Sequence, residues 1–204
     1  MWSYAGRLAL YGVWMALTVG LVAIEGILRG PESRYGEISV IELSETAFLL
    51  LTAGFFLAAA RVSDRWRALC LSFTVAATMA AVREQDAYLD RYVFNGTWQC
   101  IVGALAVWLT VYLRRHGRGL ASQVVSFAES RGAGLLAAGF LIVFVFSRLL
   151  GARAFWMRVM GDGYQGVVKN IAEEGTELLG YSLLTAAAVE TWIHLRRRVR
   201  AGGA

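Results

Sequence analysis

The sequence predicts an all-α, polytopic membrane protein with six transmembrane helices in one bundle. Three observations predict it. Apolar runs near 20 residues long recur along the whole 204-residue chain, and a helix of about 20 apolar residues crosses the roughly 30 Å hydrocarbon layer of a bilayer. The composition is 57% hydrophobic and 17% charged, whereas soluble domains carry about 25% charged residues. Pro31 is the single proline, where a soluble domain of this length would carry several in its turns. The chain is therefore read as one integral membrane domain over residues 1–204.

The spans are expected at about 8–28, 38–60, 68–82, 98–113, 135–150 and 171–193. The first is followed by Arg29-Gly30-Pro31-Glu32-Ser33, a turn signal that ends it. No small-residue cleavage pattern follows that first run, so it reads as a retained helix rather than a signal peptide. The third, fourth and fifth runs are short for a full crossing and recruit flanking residues such as Arg67, Arg83, Thr97 and Arg148. Long arginine stems can carry their charge to the interface, which makes such extensions tolerable. Gly161-Asp162-Gly163 breaks the chain before the last span. Between the fifth and sixth, Arg153-Ala154-Phe155-Trp156-Met157-Arg158 mixes cations and aromatics, as an interfacial amphipathic turn or an ordinary aromatic-belt loop does.

Orientation follows from the basic residues of the short loops. Arg7, the cluster 61–67, Arg114, Arg115, Arg118, Arg131 and the tail after His194 put twelve basic residues on one side, against eight on the other. The positive-inside rule makes the twelve-residue side cytoplasmic, with both termini inside a bacterial inner membrane. Net charge of +5 then reports topology and contact with anionic lipid; no aromatic-interleaved basic tract suggests nucleic acid. The expected partners are the lipid bilayer and either a second membrane protein or another copy of the chain. Cys70 and Cys100 should lie near opposite faces, which predicts neither a disulfide nor a metal clip.

Twelve of the fifteen acidic residues fall on the other, outer side. Carboxylates inside spans cost roughly 2.5–3.5 kcal/mol each on insertion scales, so each is a functional hypothesis. Glu42-Leu43-Ser44-Glu45 at the start of the second span and Glu174-Gly175-Thr176-Glu177 at the start of the sixth repeat a Glu-x-(Ser/Thr)-Glu pattern. The repeat reads as an internal duplication or as coincidence. Residues three apart share a helix face, so each motif aims two carboxylates one way. If both meet the end of the third span, Glu42, Glu45, Glu84, Asp86, Glu174 and Glu177 converge. An all-oxygen set suits a hard divalent cation such as calcium, magnesium or manganese, and also iron. His116 and His194 both fall on the cytoplasmic side, which argues against a zinc hydrolase centre.

The segment Glu174-Gly175-Thr176-Glu177-Leu178-Leu179 also resembles the Arg-Glu-Gly-x-Glu element of the iron permease family over about six residues. Glu173 stands where that family has arginine, and the motif at Glu42 lacks both the arginine and the glycine. The family is not assigned; the resemblance implies only a cation-handling role.

A structural reading stands beside the cation site. Arg83, Arg148 and Lys169 share the acids' side and can neutralise them, and Lys169 and Glu173 have the four-residue spacing of a helical ion pair. Helix N-termini at Glu42 and Glu174 favour carboxylates without any ligand. In that reading the chain is a non-catalytic membrane subunit or assembly factor. An intramembrane enzyme acting on a lipid-like substrate is a third reading, with Glu84 or Asp86 as base. Serine–histidine arrangements and nucleotide loops are absent from the sequence. Small residues at Gly12, Ala16 and Gly20, and at Gly134 and Ala138, are expected to pack helices closely.

Overall fold

The computed structural model describes residues 4–29 and 40–201. Every regular element among them is helical. In order these are α1 (Tyr4–Arg29), α2 (Val40–Val62), α3 (Arg67–Glu84), α4 (Asp86–Tyr92), α5 (Thr97–His116), α6 (Leu120–Ala128), α7 (Arg131–Leu141), α8 (Ser147–Leu150), α9 (Arg153–Met160) and α10 (Gly166–Arg200). A π-helical stretch, Ile142–Phe146, joins α7 to α8. The turn signal at Pro31 lies outside the described residues.

Among the described residues, four helices are long and apolar enough to cross a membrane: α2, α5, the continuous 131–150 helix and α10. This supports the helical membrane class, not the six-span count. The third expected span, α3, is 18 residues long but carries Arg67, Arg83 and Glu84. The first expected span supplies a shorter apolar stretch, Ala9–Ile24. Two helices were not anticipated, α4 and α6, because seven and nine residues are too few to register as spans. The expected interfacial turn is helical, as α9.

The chain folds into two compact units. The first comprises residues 1–45 and 138–182, and the second 46–137 and 183–204. In the second, Ala59, Ala60, Trp66, Leu69, Cys70, Phe127 and Leu195 form a buried cluster. Phe73 joins it, with its ring 4.9 Å from that of Phe56 and 5.2 Å from that of Phe127. Here α2 and α10 run the same way. Thr52 Oγ1 lies 3.0 Å from Thr185 Oγ1, and Thr185 Oγ1 donates to the Phe48 carbonyl at 2.9 Å. One helical turn or two further on, the Phe55 and Trp192 rings are 5.6 Å apart. The hydrogen-bonded residues are 133 and 137 positions apart, close to the 132-residue offset between the two glutamate motifs.

In the first unit, close approach is made by glycines on α10. Gly180 lies against Gly139, Ile142 and Val143, and Gly175 against Val22 of α1. The small residues singled out from sequence do not do this: Gly12, Gly20 and Gly134 have nothing within 4 Å of where a Cβ would stand. Spacing alone could not say which face of each helix meets a neighbour. Gly132, two residues from Gly134, is a contact glycine of α7, set against Ala187 and Thr191 in the second unit.

Candidate functional site

The six carboxylates expected to converge divide between the units. Glu42, Glu45, Glu174 and Glu177 belong to the first, Glu84 and Asp86 to the second. Among the described residues, no three His, Cys, Asp or Glu side chains come together in a way that could hold a metal ion.

The two motifs nevertheless sit alike. Glu42 and Glu174 are half-buried, whereas Glu45 and Glu177, three residues on, are 2% and 8% exposed. Burial of a lone carboxylate is costly, so each is expected to have compensation. For Glu177 it is visible. Arg148 forms an ion pair with Glu177 Oε1. The Ser147 hydroxyl lies 3.1 Å from the same oxygen and 2.5 Å from the Val143 carbonyl, so its one proton has two acceptors within reach. Arg148 Nε donates to that hydroxyl oxygen at 3.3 Å. Ser147 is fully buried, while half of the Arg148 side chain is exposed.

The π-helical turn, with its wider hydrogen-bonded rings, precedes Ser147 directly. Such turns shift the angular register of all that follows and recur at functional sites. Apolar Ile142-Val143-Phe144-Val145-Phe146 gives no sequence signal of it.

Four of the other acids have local partners. Lys169 Nζ is 2.8 Å from Glu173 Oε2, the expected pair, with both side chains about four-fifths buried. Glu173 also lies against Gly151, the residue that ends α8. In the second unit Arg83 Nη1 is 3.3 Å from Glu84 Oε1. Asp86 is exposed and accepts from the Ala87 amide at 2.6 Å. Asp90 accepts from the Gly96 amide at 2.9 Å, closing the turn where Gly96 adopts φ +93°. Gln85 Nε2 donates to Thr46 Oγ1 at 2.8 Å, a contact from α2 to the end of α3 that sequence reasoning missed.

The arrangement thus offers a buried carboxylate held by one guanidinium and one hydroxyl, with further acids engaged locally. Comparison with family models, with curated proteins and with solved structures finds no match to this chain.

Proposed function

We propose that this chain is an integral membrane protein of the bacterial inner membrane, a non-catalytic subunit or assembly factor whose acidic residues fix helices to one another. One observation carries the reading: buried Glu177 has a basic partner, Arg148, and a hydroxyl partner, Ser147, on a helix that precedes α10. A cation site needs carboxylates in excess of local bases, repelling one another until the ion binds. A structural network instead gives a buried acid its own base, and Glu177 and Glu173 follow that pattern. The local roles of Glu84, Asp86 and Asp90 point the same way. The arginine count of the loops supports a topology with both termini in the cytoplasm.

Thermal melts of the purified chain and of Glu45→Gln and Glu177→Gln, with and without calcium, manganese and ferrous iron, test this. The expected result is no metal-dependent shift for the native sequence and lowered stability for Glu177→Gln. A ligand raises stability only through the state it binds. A metal-stabilised native chain, together with a Glu177→Gln variant that is more stable metal-free and blind to metal, would replace the network with a cation site.

A further inference from the structure

A second concentration of charge lies in the second unit, among residues the glutamate network does not use. Between the start of α3, the end of α5 and the start of α6 is a cavity of about 370 Å³. Its walls carry Arg65, Arg67, Arg118, His116, Tyr112 and Asp64. Asp64 is the single acid among them and is already ion-paired with Arg67. Arg65 and Arg118 are exposed, and among the described residues no ion pair neutralises either. Two guanidinium groups thus border one concave space without a counter-charge.

The other walls suit an anion as well. The α6 N-terminal turn, Gly119 to Gln123, borders the cavity and brings the positive end of a helix dipole. Gln123 is buried and its Oε1 accepts from the Leu69 amide at 3.0 Å, which holds α6 against α3 and fixes the shape of the space. Tyr112 supplies a hydroxyl-bearing ring, stacked on Trp108 and His116 with centroids 5.4 and 4.8 Å away.

What lies beside the cavity selects among anions. From it α5 runs back as a candidate span whose apolar side chains are almost uncovered: Val107 is 65% exposed, Trp108 50% and Val111 42%. A ligand with a phosphate in the cavity and hydrocarbon tails along this surface matches both halves. Basic pockets at the cytoplasmic ends of spanning helices have this chemistry for phospholipid headgroups, and the cluster lies on the side that the arginine count makes cytoplasmic. We propose that the cavity binds the phosphate headgroup of an anionic phospholipid, with Arg65 and Arg118 as its charged contacts. The inference uses the membrane placement but not the Arg148–Glu177 pair.

Native mass spectrometry of the detergent-purified full chain, titrated with phosphatidylglycerol or phosphatidylcholine of equal acyl length, tests it. The native chain should prefer phosphatidylglycerol by about tenfold or more. Removing both charges in Arg65→Gln/Arg118→Gln should weaken that lipid roughly 25-fold, about fivefold per arginine, and leave phosphatidylcholine unchanged. Arg153→Gln/Arg158→Gln, which alters exposed arginines outside the cavity, should keep the preference. Retained preference in the first variant overturns the proposal. So does displacement of the lipid by equimolar inorganic phosphate, which would make this a small-anion site. Should the first variant misfold, a photoactivatable phosphatidylglycerol on the native chain decides: labelling of the peptide carrying Tyr112 to Ser122 supports the site, and labelling spread evenly over the helices refutes it.

Discussion

Replacing Gly180 and Gly134 by alanine, one at a time, should change stability in opposite directions. In the absence of packing, alanine favours a helix over glycine by about 0.8–1.0 kcal/mol. Gly134 has nothing within 4 Å of its would-be Cβ, so Gly134→Ala should gain most of that. At Gly180 the new methyl would overlap Val143 Cγ2, and stand 3.1 Å from the Gly139 carbonyl oxygen and 3.3 Å from Ile142 Cγ2. The valine methyl can turn, but the carbonyl belongs to a helix backbone, so α10 must move away by a few tenths of an ångström. Overfilling a packed contact costs about 1–3 kcal/mol, which outweighs the helix gain. Gly180→Ala should therefore end about 2 kcal/mol below Gly134→Ala, and Gly180→Val lower still. Unfolding in detergent, followed by far-ultraviolet circular dichroism, measures the difference. Two alanine variants of the same sign and within about 0.5 kcal/mol would refute the reasoning about which glycines carry helix contacts.

Other expectations follow from single contacts. Thr52→Val with Thr185→Val should show a coupling near 0.6 kcal/mol and no more than about 1.7, the range for hydrogen bonds between membrane helices, when the four-variant cycle is melted in detergent. Trp156→Phe removes the 2.5 Å bond from Nε1 to the Leu150 carbonyl that fastens α9 to the end of α8; a loss of about 1 kcal/mol is expected, with faster proteolysis near Arg158. Gln123→Leu leaves the Leu69 amide without its acceptor and should cost about 1–3 kcal/mol in the same unfolding assay. Reporter fusions at Gly119 and Gly96 should give cytoplasmic and extracytoplasmic signals respectively; the reverse pattern would turn the proposed topology over.

The helical class was legible because long apolar runs with one proline leave a chain little else to be. Span boundaries were less so. The runs 171–193 and 98–113 extend into Gly166–Arg200 and Thr97–His116, since arginines and polar residues continue a helix beyond its apolar part without an apolar signal. The site was legible in its residue types and partly in its pairing. Lys169–Glu173 follows from four-residue spacing on one helix. Arg148–Glu177 does not, because it joins residues on separate helices, and the π-helical turn beside it is built from ordinary apolar residues. Whether six carboxylates meet depends on a helix arrangement, which periodicity does not supply. The Thr52–Thr185 contact that helps join α2 to α10 has no signal in the apolar pattern of either helix. The cavity at Arg65 and Arg118 was visible only as a count of arginines in two loops; α6, which closes it, was invisible at nine residues.

The central claim, that Glu177 is held by a base rather than awaiting a cation, is tested most directly by a double-mutant cycle of Arg148→Gln and Glu177→Gln. Exposed pairs contribute about 0.2–1 kcal/mol, and breaking a fully buried pair costs about 3–5 kcal/mol. Glu177 is buried and half of the Arg148 side chain is exposed, so the favourable coupling should be about 1–2 kcal/mol, with the double variant recovering part of the loss from either single one. Additive effects within about 0.3 kcal/mol, or a Glu177→Gln variant more stable than the native chain, would contradict it.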